Sequence, residues 1–141
     1  MDSIPTAEAA TKPRLILFGA PEIPRAAKEN AAATLSGDPE QGLWLYCDDT
    51  RTNARFGLWE ARASRFRIRM DGYTEFCHIL EGEAEIIDLS DGRRWTVQAG
   101  QSFVMEIGME MEWHVPRYIR KCFAISSAGA QGASTDRAAK T

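Results

Sequence analysis

Tyr73, Glu75, Cys77 and His78 lie within six consecutive residues, so one short segment carries a phenol, a carboxylate, a thiol and an imidazole. If the segment is a strand, side chains alternate between its faces, with Glu75, Cys77 and Ile79 on one and Phe76, His78 and Leu80 on the other. Glu75 is then the candidate general acid/base or ligand anchor. The plainer reading is a structural carboxylate paired inside the fold. Cys77 shares the face of Glu75, and a thiol beside a carboxylate ionises late, which favours a packed core cysteine over a reactive one. Tyr73 offers a phenolic proton or serves as a turn residue. His78 and His114 are the only histidines of the chain. Alternation turns both outward, as surface or interface residues rather than ligands or bases. Arg65, Arg67 and Arg69 share one strand face, where they could clasp an anionic ligand or a partner's carboxylates, although a solvated face is the simpler role.

The elements that must position these groups are short strands. Candidates are 43–47, 55–61, 65–70, 74–80, 84–89, 93–97, 102–106, 110–115 and 120–125, separated by turn signals at Asp71-Gly72, Glu81-Gly82, Asp91-Gly92, Ala99-Gly100 and Ile107-Gly108. Strands so short, with glycine turns between them, predict a sandwich or barrel rather than βαβ units. In 65–70 the arginines alternate with Phe66, Ile68 and Met70, which therefore face the core. In 109–115 the same rhythm puts Met111, Trp113 and Val115 inside and Glu110, Glu112 and His114 outside. The segment 74–80 is apolar on both faces, which places it centrally or under a second subunit. Leu15–Phe18 reads as a peripheral strand, and 25–35 holds at most one helical turn because Leu35 is its only large apolar residue. Trp44, Trp59 and Trp95 are expected in the core or an interface.

The chain has 141 residues, 44% of them hydrophobic and 26% charged, which is the size and balance of one globular domain. Its formal net charge of −3 gives no electrostatic reason to expect nucleic acid or an anionic membrane as a partner. Three widely spaced cysteines, with no Cys-x-x-Cys pair, indicate neither a disulfide framework nor a zinc knuckle. Without an apolar signal segment or a membrane-length apolar run, a soluble, cytoplasmic protein is expected. The organisation expected is a mobile tail over 1–12, a single domain over 13–126 with its motif core in 43–126, and a second mobile tail over 127–141.

Three stretches carry a family resemblance: YTEFCHILEGEAEI (73–86), AGQSFVMEIGMEMEW (99–113) and RKCFAI (120–125). They resemble the cupin superfamily, and within it the branch of ureidoglycine aminohydrolase and ethanolamine-utilisation Q proteins, many of which have no assigned activity. The resemblance implies an all-β, double-stranded β-helix of jelly-roll kind, here with a short extra N-terminal segment, and usually a homodimer. Metal-binding cupins use three histidines and a glutamate. Anchoring that pattern on Gly82 puts its glutamate on Glu75. Its first two histidines fall on Ile68 and Met70 with the longer spacer, or on Arg69 and Asp71 with the shorter; alternation favours the first pair. The third histidine falls on Met111. Of the four ligands only Glu75 remains, a poor set for a divalent ion.

The resemblance also places Glu75 in the barrel lumen near Ile68, Met111 and Trp113. There desolvation would raise its pKa unless an arginine or a hydrogen bond compensates. Trp113 occupies the family's tryptophan position and is expected to wall a pocket, while Arg120-Lys121 is expected to pin the last strand. The reading is a cupin of unassigned activity that binds a small molecule without metal, or serves as a non-catalytic dimeric module. Its pocket is expected from Ile68, Met70, Tyr73, Glu75, Cys77, Met111 and Trp113. No cofactor is expected, with manganese or another divalent ion as the alternative. The competing reading is a metal-dependent aminohydrolase acting on a small nitrogenous metabolite. A third is metal-free acid/base catalysis by Glu75, as in sugar-epimerising cupins, which needs an inward histidine that this chain lacks.

Overall fold

A computed structural model of the chain describes residues 12–129. The expected tails fall mainly on residues outside that range. Eight strands form the fold: β1 (Ala26–Glu29), β2 (Thr34–Gly37), β3 (Glu40–Asp49), β4 (Ala54–Arg69), β5 (Tyr73–Asp88), β6 (Arg94–Gln98), β7 (Ser102–Met105) and β8 (Glu110–Ser127). Neighbours pair antiparallel in the order β1-β3-β4-β8-β5-β6, with β2 added to β4 and β7 added to β5.

Six of the expected strands merge into three long ones, β4, β5 and β8, because the chain bulges rather than breaks between them. The register slips between Arg62 and Ser64 on β4, and twice on β5, between Ile79 and Glu81 and between Gly82 and Glu85. A bulge bends a strand without ending it, so each long strand serves both halves of the roll. Glu81-Gly82 is therefore not a hairpin turn. Gly82 has a φ of +81°, and a Cβ there would strike the Tyr118 carbonyl of β8, so β8 crosses close over a position only glycine can fill. On β8 the slip opposite Arg62 and Ser64 spans Pro116, which cannot donate to a ladder and is tolerated at an irregularity.

Inward-facing residues of both halves make one core. Phe66, Met70, Ile79, Met111, Trp113, Val115 and Ile119 are all buried, and the aromatic rings of Trp59, Phe66 and Trp113 pack on one another at centroid distances of 5.7–6.1 Å. The expected inside-outside register of 65–70 and 110–115 holds at Phe66, Met70, Met111, Trp113 and Val115, with Ile68 partly buried. Glu112 departs from it: it points outward along β8 but is buried, because Arg65 of β4 folds over it in an ion pair. Segment 74–80 is central, as expected, with β8 on one side and β7 on the other.

Two peripheral expectations change. Leu15–Phe18 forms no strand; only an isolated bridge joins Leu17 to Ala20, and Phe18 stacks on Tyr46 at 4.5 Å. The alanine-rich stretch 25–35 does hold a single 3₁₀ turn, Ala31–Ala33, but it links two strands, β1 and β2. β1 gains its ladder from β3, which overrides a weak helical propensity. Trp95 is 41% exposed rather than core, with Arg93 above its ring.

Candidate functional site

Along β8, positions 119, 121, 123 and 125 point into the lumen, and they read Ile119, Lys121, Phe123 and Ile125. A lysine in an otherwise apolar inward row must find a counter-charge. Lys121 finds it on β5: its Nζ lies 2.6 Å from Oε2 of Glu75, with the two side chains 5% and 8% exposed. The thiol of Cys77 donates to the same Glu75 oxygen at 3.2 Å. Two indoles flank the ammonium, the Trp59 centroid at 4.6 Å and that of Trp113 at 4.9 Å, so cation–π attraction takes over where water is excluded. Trp59 is itself fixed by an Nε1–H bond to Gln41 at 3.0 Å. The Trp113 Nε1–H is buried without a partner among the described residues.

The electrostatics follow from this packing. Burial disfavours the Lys121 charge, but the neighbouring acids Cys77 and Glu75 outweigh it and lift the lysine pKa above its ordinary value. Burial in turn pushes the Cys77 thiol up to about 12, with Glu75 adding to the rise and Lys121 opposing it. Cys77 is thus a neutral thiol at neutral pH, and the Glu75 carboxylate is the partner that keeps Lys121 charged. The centre is a closed ammonium–carboxylate pair, suited to orienting a polar group and unsuited to nucleophilic attack by either sulfur or amine.

This pair forms the floor of a cavity of about 410 Å³, the range of small-molecule sites. Leu43, Leu45, Trp59, Ile68, Phe123 and Ile125 make its walls. Tyr73 lines it from the start of β5, and burial raises the Tyr73 pKa, so its phenol keeps its proton. Of the residues expected in the pocket, Ile68, Tyr73 and Glu75 line this cavity. Cys77 lies behind Glu75, and Trp113 behind the ammonium. Met70 and Met111 are packed into the core. His78 bonds Ser102 through Nδ1 at 2.6 Å and His114 is exposed, both turned away from the lumen.

Motif reasoning missed most of the lining, the apolar walls from β3 and β8 as well as the cations Lys28, Arg55 and Lys121. Lys121, expected only to pin the last strand, ties β8 to Glu75 of β5 and is also the buried cation of the lumen, which in the sequence only the inward rhythm Ile-Lys-Phe-Ile signals. Its neighbour Arg120 turns outward onto the Trp44 ring at 5.5 Å. Arg55 belongs to the inward row Arg55, Gly57, Trp59, and the registers set it two strands from Glu75, with Ile125 between.

The cupin histidine–glutamate pattern has no counterpart here. Three of its positions are Ile68, Met70 and Met111, and the fourth, Glu75, is already bonded to an ammonium. Among the described residues no group of three or more His, Cys, Asp or Glu side chains is placed to hold a metal ion. The residues present do not fit the family's divalent metal.

Comparison with known proteins agrees with the architecture. The family model described as an EutQ-like cupin domain matches residues 50–123. A Pseudomonas syringae pv. tomato protein of unknown function superposes with a TM-score of 0.66 at 20% identity, over 74% of this chain and 45% of that one. This chain thus spans less than half the length of that relative. A putative ethanolamine utilization protein Q from Salmonella typhimurium gives 0.56 at 15% identity, over 77% and 99% of the two chains. A predicted oxalate decarboxylase from Thermotoga maritima gives 0.62 at 18%, over 81% and 99%. At these identities the likeness is one of fold. No curated protein matches the sequence.

Proposed function

The chain belongs to the EutQ-like cupin family, and we propose that it acts there as a metal-free binding module for a small molecule held in the lumen. One observation carries this reading: the only carboxylate at the family's ligand positions is bonded at 2.6 Å to the Lys121 ammonium, and that pair lines a cavity of about 410 Å³. A fixed cation already stands against Glu75, and apolar walls surround both. A ligand entering there meets a charged pair that needs no metal to hold its shape. The metal-dependent aminohydrolase reading has less support, since Ile68, Met70 and Met111 offer at most soft thioether donors to a hard ion.

The same reading includes a homodimer. Across the outer face, Val104, Phe76, Ala124 and Phe56 stand in one register row of β7, β5, β8 and β4. Val104 is 56% and Phe76 42% exposed, an apolar stripe of the kind a twofold interface covers. One preparation tests both parts. Protein purified without added metal should sediment as a dimer at micromolar concentration, and elemental analysis of that fraction should find manganese, iron, nickel and zinc far below stoichiometry. A tightly bound stoichiometric metal would replace this reading with the enzyme one, and a monomer would remove the dimer.

A further inference from the structure

We propose that the molecule this cavity takes is an organic anion, with its charged head held by Arg55 at the mouth and an apolar body inserted toward Trp59. The inference rests on the binding reading above and names the ligand's chemical class. The lining residues carry five cationic side chains, Lys28, Arg55, Arg67, Arg69 and Lys121, against the single carboxylate of Glu75, in a chain whose formal net charge is −3.

The cations are not equivalent. Lys121 is neutralised by Glu75 and covered by two indoles, so the deep end has no charge left to offer an anion. Arg69 pairs with Glu110 at 3.3 Å. Among the described residues, no carboxylate lies within the 4.0 Å ion-pairing distance of Lys28, Arg55 or Arg67. Asp48 faces Arg55 across the β3–β4 ladder without reaching it. Of the three, Arg55 stands in the inward row of β4, and Arg67 lies on the strand face opposite Ile68. Arg55 is exposed and has no ion-pair partner among the described residues, so its planar fork is available to a carboxylate or phosphate in bidentate geometry.

Below that mouth the walls are Leu43, Leu45, Phe123 and Ile125, which have nothing to offer a polar body. The Tyr73 phenol is a further donor at the edge. A mouth of cations that no described carboxylate pairs, over low-dielectric walls, concentrates field on an entering anion and selects it over a neutral molecule of the same shape.

Three probes of one shape test this on the full chain: phenylacetate, its neutral counterpart phenylacetamide, and phenyl phosphate. Binding is read from the Trp59 indole N–H resonance and tryptophan fluorescence. At low salt, phenylacetate or phenyl phosphate should bind about tenfold more tightly than the amide, the worth of one charge-assisted contact. The preferred one of the two identifies the head group. The advantage should vanish in Arg55→Gln and shrink as salt rises. An amide that binds as well as the anions would overturn the anion inference while leaving a binding cavity. An anion preference that survives Arg55→Gln would overturn the placement of the head. If none of the three shifts Trp59 at millimolar concentration, the binding reading falls and the anion inference with it.

Discussion

Of the three ion pairs that β8 makes among the described residues, two lie on opposite faces of the barrel wall, Lys121–Glu75 and Arg65–Glu112. Lys121–Glu75 points into the lumen with both side chains less than a tenth exposed. Arg65–Glu112 lies on the outer side, where Glu112 is 10% exposed but Arg65 is 48% exposed. The outer pair shares its solvation with water and has a spare cation at hand, since Arg67 stands opposite Glu112 in the ladder. The inner pair is largely withdrawn from water and has no second cation in bonding distance among the described residues, so the chain supplies the missing solvation: the Cys77 thiol on the carboxylate, and the Trp59 and Trp113 faces on the ammonium. A charge pair inside a barrel is therefore a commitment of five side chains, and one outside it of two.

The largest expected effect breaks the inner pair. Lys121→Met leaves Glu75 buried without a counter-charge and should cost about 3–5 kcal/mol, measured by urea unfolding at neutral pH. The double variant Lys121→Met/Glu75→Leu removes both charges and should recover most of that loss, because an apolar pair of similar volume substitutes well for a buried ion pair. A double variant as unstable as the single one would mean that packing around Lys121, rather than its charge, is what the fold requires.

The second effect sharpens the comparison through pH. Cys77 and Lys121 both have folded pKa values above their unfolded ones. A group shifted upward contributes stability that is complete below its unfolded pKa and is lost as pH rises toward the folded one. The window opens at the ordinary cysteine value of 9.0, where the unfolded thiol ionises while the buried one, at about 12, does not. Stability should then fall by about 1 kcal/mol between pH 9 and pH 10, and Cys77→Ala should flatten that limb of a thermal-unfolding series. An identical slope in the variant would show that the lumen plays no part in it.

How far this was legible in the sequence depends on which face of a strand is considered. Alternation with arginines in 65–70, and with glutamates in 110–115, fixed the inward set Phe66, Met70, Met111 and Trp113, because each polar residue marks its own face. It could not show Arg65 folding back over Glu112. Strand breaks at Glu81-Gly82 were illegible for a related reason: a glycine at positive φ reads the same whether the chain turns or bulges, and only the approach of Tyr118 from β8 distinguishes them. Glu75 was legible as a lumen carboxylate, but its partner was not. Lys121 lies 46 residues away, on a strand whose role looked structural. The long-range pairing of β5 with β8 joins them, and local periodicity carries no trace of it beyond one lysine in an apolar row.

The smallest effect should come from the outer pair, and it decides whether position or mere pairing sets the energies. Arg65→Met removes the residue that covers Glu112, but the carboxylate keeps access to water and to Arg67. The expected loss is about 1 kcal/mol or less, and it should shrink further as salt rises, since an exposed guanidinium is readily screened. In the variant Arg65→Met/Arg67→Met the loss should exceed the sum of the two single losses, because each arginine covers for the other. The inner pair admits no such substitute: among the described residues Glu75 has one cation in bonding distance, and both side chains are less than a tenth exposed. If Arg65→Met proved as costly as Lys121→Met, burial of Glu112 alone would account for both, and the thiol and indoles around Lys121 would lose their assigned role.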